Sequence, residues 1–157
     1  NTQPTRQQLG GWVETRAKAG YRLIAIDPIT AAAHRSRGVW EEDNAFLHNI
    51  KRTAVECSCS IILISHPIKA VSFPDVTQLA GGAAYSRFAQ TILWLESHAD
   101  KTSKVKTACG TAEVEHDRTL YLLKVRNGRG QGVKLAFNFK SESLTLHEIG
   151  IIVEKSQ

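Results

Sequence analysis

The chain has 157 residues, enough for one domain with a core of ordinary size. Hydrophobic residues make up 42% and charged residues 22%, which excludes a disordered charged segment, and no apolar run approaches the ~20 residues that span a bilayer. A formal charge of +5 and a pI near 9.3 suit a polyanionic partner.

The sequence opens on Asn1 with a polar stretch that has no signal-peptide pattern, and it contains no Met. It therefore reads as a piece of a longer protein. Cys57 and Cys59 are too close for C-x-x-C spacing and Cys109 stands alone, so the three cysteines read as free thiols of a reducing, cytoplasmic setting.

In chain order, Thr5 and Gln8 have capping-box spacing, and Leu9, Trp12, Val13 and Ala17 follow along one helical face that ends at Gly20. Arg22–Ile26 is a short apolar strand of the kind buried on both faces, and it delivers Asp27 just before Pro28. A loop, His34–Gly38, leads to a helix from about Glu41 to Cys57. Its first turn is acidic, and Leu47, Ile50, Ala54 and Cys57 form its buried stripe. Ile61–Ser65 is a second apolar strand ending at Ser65-His66-Pro67, so a βαβ unit with parallel strands is expected. After a loop at Pro67–Ala80 come a short helix, Ala83–Phe88, and a third strand, Thr91–Glu96. The polar stretch 97–118 shows no period and reads as a mobile surface loop. Leu120–Val125 and Val133–Phe139 flank a glycine-rich turn and predict a β-hairpin, with Leu144–Glu148 as the last strand.

Ligands of parallel α/β sheets sit beyond the strand C-termini. Asp27 suits either a carboxylate that orients a nucleotide's magnesium or an Asp that begins a turn before Pro28. Side chains two apart on a strand share a face, so Lys124 and Arg126 project together from a strand end. The pair suits phosphates or an ordinary solvated hairpin tip. His66 suits a polar sensor or a strand-end histidine bonded to backbone.

The ordered set YRLIAID, IILISHPIK, LAGGAAYSRFAQTILWLE and LLKVRNGRGQGVKLAFNF resembles the C-terminal half of RecA-like ATPases of the DnaB and RepA helicase group. KVRNG is similar to the K-x-R-N-G hairpin of DnaB-type helicases. SHPIK resembles the His-His-x-x-Lys segment of RepA-like proteins, with Ser65 in place of the first His. The resemblance covers about Leu9 to Phe139. It implies a single RecA-like α/β domain over 1–157: a mixed sheet of parallel strands with crossover helices, closed by a C-terminal antiparallel hairpin. It also implies a replicative helicase of phage or plasmid type, a hexameric ring that hydrolyses ATP with Mg2+ and moves on single-stranded DNA.

By this resemblance Asp27 is the Walker B carboxylate that holds magnesium indirectly, and His66 is the sensor of the γ-phosphate. Lys124 and Arg126 are the finger that reaches the ATP site of the next subunit. Arg35, Arg37 and Lys69, in loops lining a central channel, contact the DNA backbone. Phe73 is placed to stack a base or to pack locally.

The pattern is incomplete. No G-x-x-x-x-G-K-[ST] phosphate loop is present, Gly128–Gly132 lacks its Lys-Ser/Thr, and the glutamate expected upstream of Asp27 is missing. This chain alone is therefore not expected to hydrolyse ATP. A recombinase or repair ATPase, and a non-hydrolysing nucleic-acid-binding module, are the alternative readings.

Overall fold

The computed structural model describes residues 3–33, 38–67, 73–79 and 83–153. The chain divides into two compact units, Asn1–Ala89 and Gln90–Gln157.

The first unit begins with α1 (Arg6–Lys18), started by the expected box: Thr5 Oγ1 accepts from Gln8 N at 3.2 Å, and Gln8 Oε1 accepts from Thr5 N at 2.9 Å. Two backbone N–H groups of the first turn are satisfied in this way. The strands β1 (Leu23–Ile26) and β2 (Ser60–Leu63) pair in parallel from Leu23↔Ser60 to Ile26↔Leu63. The helix α2 (Val39–Glu56) crosses between them, and the short α3 (Ala83–Phe88) follows. The expected βαβ unit is present. Val13 and Ala17 of α1, Ile24 and Ile26 of β1, Phe46, Leu47 and Ile50 of α2, and Ala84 and Tyr85 of α3 form one core. That core covers one face of the two-stranded sheet. On the other face Leu23 is 61% and Ile62 47% exposed, so the strands are not buried on both faces as their composition predicts.

The second unit is a closed four-stranded antiparallel barrel of β3 (Thr91–Thr107), β4 (Gly110–Val125), β5 (Lys134–Lys140) and β6 (Thr145–Ile152). β3 and β4 form one long hairpin whose register breaks between Ser97 and Lys101. β6 returns to β3 at Val105↔Ile152 and Lys106↔Ile151 and closes the ring. A Cβ at Gly150 would overlap Lys106 O and stand 2.9 Å from Val105 Cγ1, so this crossing requires glycine.

The RecA-like mixed sheet is therefore overturned. The only parallel pairing among the described strands is β1 with β2, and the third apolar strand does not join it but leads the barrel. The polar stretch 97–118 is also not a loop. It is the outer half of the β3–β4 hairpin, where Lys104 lies opposite Glu113 and Thr102 opposite Glu115 in register. Hydrophilic residues hide a strand when only Val105 and His116 of that ribbon are buried. The expected hairpin across Gly128–Gly132 is present, with Tyr121 opposite Lys134. The expected last strand is present as β6, extended to Ile152.

Candidate functional site

Parallel pairing sends the C-terminal ends of β1 and β2 out at one edge, and the ladder continues past both strands. Ile64 N donates to Ile26 O at 2.9 Å, and Ile29 N donates to Ile64 O at 2.8 Å. Asp27 and the Ser65-His66 segment therefore leave the sheet side by side. Asp27 and His66 are exposed and Ser65 is half-buried. Ser65 Oγ donates to His66 O at 3.3 Å. An exposed carboxylate at a strand tip is suited to accept bonds from metal-bound water. Among the described residues no group of three His, Cys, Asp or Glu is arranged to hold a metal by itself.

The loop behind Asp27 is fixed from beneath. Arg6, 5% exposed, donates Nε–H to Asp43 Oδ1 at 2.8 Å, and its Nη1 donates to Ile29 O and, at 3.4 Å, to Ala32 O. Backbone bonds add to this, with Ala33 N donating to Pro4 O at 2.9 Å and Arg6 N to Ala33 O at 3.3 Å. One guanidinium thus joins α1, α2 and the turn that follows Asp27. Sequence reasoning missed this pair. A cation in the first turn of a helix opposes the helix dipole, so Arg6 needed a specific partner. Asp43, one of the acidic residues at the start of α2, lies at i, i+4, i+7 spacing with Leu47 and Ile50 and is 3% exposed.

Tyr85 lies 7% exposed in the same core, and its hydroxyl has no hydrogen-bond partner among the described residues. Burial pushes that hydroxyl up to about 12, with the negative charge of Asp43 adding to the shift and Arg6 opposing it. A cleft of about 340 Å3 opens between the first turn of α1 and α2, lined in part by Arg6, Gln7, Glu42 and Asn49; it does not include Asp27, Ser65 or His66.

Lys124 lies at the end of β4 and Arg126 just past it, in the second unit. Lys124 is half-buried opposite Ile92, and Arg126 is exposed with its backbone N donating to Gln90 O at 2.9 Å. The chain beyond folds back through Gly132 N to Leu122 O at 2.8 Å and Val133 N to Gly130 O at 3.0 Å. Asp27 and His66 thus lie in the first unit, beyond the ends of β1 and β2, and Lys124 and Arg126 lie in the second. Arg35, Arg37 and Lys69 lie outside the described residues. Phe73 is 64% exposed.

No helix among the described residues is long and apolar enough to cross a membrane. No protein-family model and no curated protein matches this chain.

Proposed function

We propose that this chain supplies the magnesium-orienting carboxylate, the phosphate sensor and the cationic finger of an ATP-dependent motor acting on single-stranded DNA. The supporting observation is the parallel β1–β2 pair, whose adjacent C-terminal ends carry Asp27 and His66. Asp27 would hold the magnesium of a bound triphosphate indirectly, by accepting hydrogen bonds from water. Bound magnesium supplies neutralisation of phosphate charge. His66 hydrogen-bonds the terminal phosphate and reports its presence to the segment after Pro67. Lys124 and Arg126, from a neighbouring protomer of the ring, stabilise charge developing on the transferred phosphoryl group, a contribution on the order of 10³ or more in rate. The phosphate-cradling loop is contributed from outside this chain.

In the assembled protein, Arg126→Ala should lower ATP hydrolysis by roughly 10³ while ATP binding stays near wild type. Mixing it with an Asp27→Ala variant should restore part of the activity, since each supplies the half-site the other lacks. Mixed assemblies that stay inactive would refute the shared site. A non-hydrolysing binding module is the competing reading, favoured by the closed antiparallel barrel that stands where a nucleotidase sheet was expected. It would be selected if Asp27→Ala and Arg126→Ala both leave single-strand binding unchanged and no nucleotide dependence is found.

A further inference from the structure

The strand tips leave unused an aromatic patch on the outer side of α1. Trp12 is 43% and Tyr21 54% exposed. The Arg16 guanidinium carbon stands 5.7 Å from the Trp12 ring centroid and 5.8 Å from that of Tyr21. The fold builds this arrangement deliberately from local elements. Trp12 and Arg16 are one helical turn apart, and Gly20, at φ +94, ends α1 so that Tyr21 N turns back to donate to Arg16 O at 3.2 Å. The two rings therefore flank one exposed cation.

The charges around the patch favour an anion. Glu14, the acid of α1, is already taken up by Lys18 at 2.5 Å. Gly11, also on the solvent side of α1, has open space where its Cβ would stand, whereas Gly10 faces Asn49 and Phe46. Packing explains Gly10 but not Gly11, a residue that weakens an exposed helix and leaves room for a ligand to approach the backbone.

We infer that Trp12, Arg16 and Tyr21 form a stacking platform for single-stranded nucleic acid. Each ring offers a π-face to a base without regard to its identity, and the guanidinium between them meets the intervening phosphate. An apolar protein partner would gain nothing from the cation held between the rings. The inference rests on the proposed function only in taking single-stranded DNA as the polyanion; its residues are separate from Asp27, His66, Lys124 and Arg126.

The test is fluorescence anisotropy of a labelled oligo(dT) without nucleotide, with circular dichroism as a check of folding. Trp12→Ala should weaken binding by about tenfold or more. Arg16→Gln should reduce the slope of log K against log salt by about 0.7, the signature of one lost phosphate contact. If Trp12→Ala does not fold, Tyr21→Ala, which lies outside the helix, carries the same expectation. Wild-type affinity in the folded aromatic variants overturns the platform, as does a wild-type chain that does not bind oligo(dT) and so uses the patch against protein or as a plain surface stack. Loss of hydrolysis in Asp27→Ala together with unaltered binding in Trp12→Ala would sink the platform alone, and the reverse pattern would sink the motor reading alone.

Discussion

The two units bury polar groups by opposite means. In Asn1–Ala89 the buried polar residues are Thr53 and a charged pair: Arg6 and Asp43 are 5% and 3% exposed and satisfy each other and two carbonyls. In the barrel the groups are an imidazole and hydroxyls. His116 and Thr119 are both fully buried. His116 Nδ1 faces Arg118 O at 3.1 Å; a carbonyl only accepts, so that nitrogen carries the hydrogen and Nε2 accepts from Ser103 Oγ at 2.9 Å. His98 Nδ1 likewise donates to Ala99 O at 2.7 Å, its Nε2 meets Thr119 Oγ1 at 2.9 Å, and the two rings stand edge to face 5.1 Å apart. A charged pair fixes the position of the backbone behind Asp27 at a desolvation cost. A neutral network closes a small barrel cheaply but is exposed to acid. Substitutions that remove one partner, or one proton, should separate the two strategies.

The largest effect is expected at the ion pair. Asp43→Ala leaves the Arg6 cation buried without its counter-charge and should cost about 3–5 kcal/mol by denaturant unfolding. Replacing both partners by Leu should cost less than Asp43→Ala alone, because no charge remains to desolvate. A single substitution that costs under about 1 kcal/mol would mean that the two carbonyls, not Asp43, satisfy Arg6.

Next is the closure of the barrel. Gly150→Ala forces a Cβ against Lys106 O and Val105 and should cost on the order of 3 kcal/mol, lowering the unfolding midpoint. A change within about 0.5 kcal/mol would show that β6 moves off β3 without penalty and that the barrel is not held shut there.

These two sites also mark the limits of what the sequence discloses. The helices, the β1–β2 pair and the glycine-turn hairpin rest on local signals: the Thr5–Gln8 box, apolar runs ended by Asp27-Pro28 and Ser65-His66-Pro67, and alternation from Val133 to Phe139. So does the exit of the Asp27 and Ser65-His66 segments at one edge of the sheet, since parallel strands bring their C-terminal ends together whatever surrounds them. The barrel was not legible for a physical reason. Its long hairpin buries few side chains, so K-V-K and E-V-E around Ala108-Cys109-Gly110 carry an alternation with almost no hydrophobic amplitude. Gly110 at φ +130, with Thr107 Oγ1 donating to Gly110 O at 3.0 Å, is the turn signal that was available. The Arg6–Asp43 pair was hidden because charge at a helix start is ordinarily read as exposed.

Acid should act on the barrel with a smaller, graded effect. Burial holds the His116 imidazole below its ordinary 6.5, with His98 and Lys101 adding to the shift and Arg118 O and Asp117 opposing it. The unfolded chain then binds a proton that the folded barrel refuses, so stability is complete above about pH 6.5 and declines as the pH falls through that value. Unfolding midpoints measured from neutral to mildly acid pH should fall, and His116→Gln should flatten the dependence. A midpoint that stays level or rises on acidification would mean that His116 takes up its proton in place.

The smallest effect distinguishes a satisfied polar core from one that merely tolerates a polar atom. Tyr85 packs among Ala84, Phe46 and Leu47, and its hydroxyl, pushed up to about 12, keeps its proton near Asp43 without a partner among the described residues to receive it. The ring supplies hydrophobic burial; the hydroxyl costs desolvation and returns only a weak interaction with the carboxylate's field. Tyr85→Phe keeps the ring and removes the cost. It should leave stability unchanged or raise it by up to about 1 kcal/mol, whereas the removal of a hydrogen-bonded hydroxyl such as Thr119→Val in the barrel should lower it by about that amount. A loss of more than about 1 kcal/mol in Tyr85→Phe would place a bridging water between the hydroxyl and the ion pair. Tyr85 would then be a third member of the network that fixes the turn behind Asp27, and the first unit would bury its polar groups by the same rule as the second.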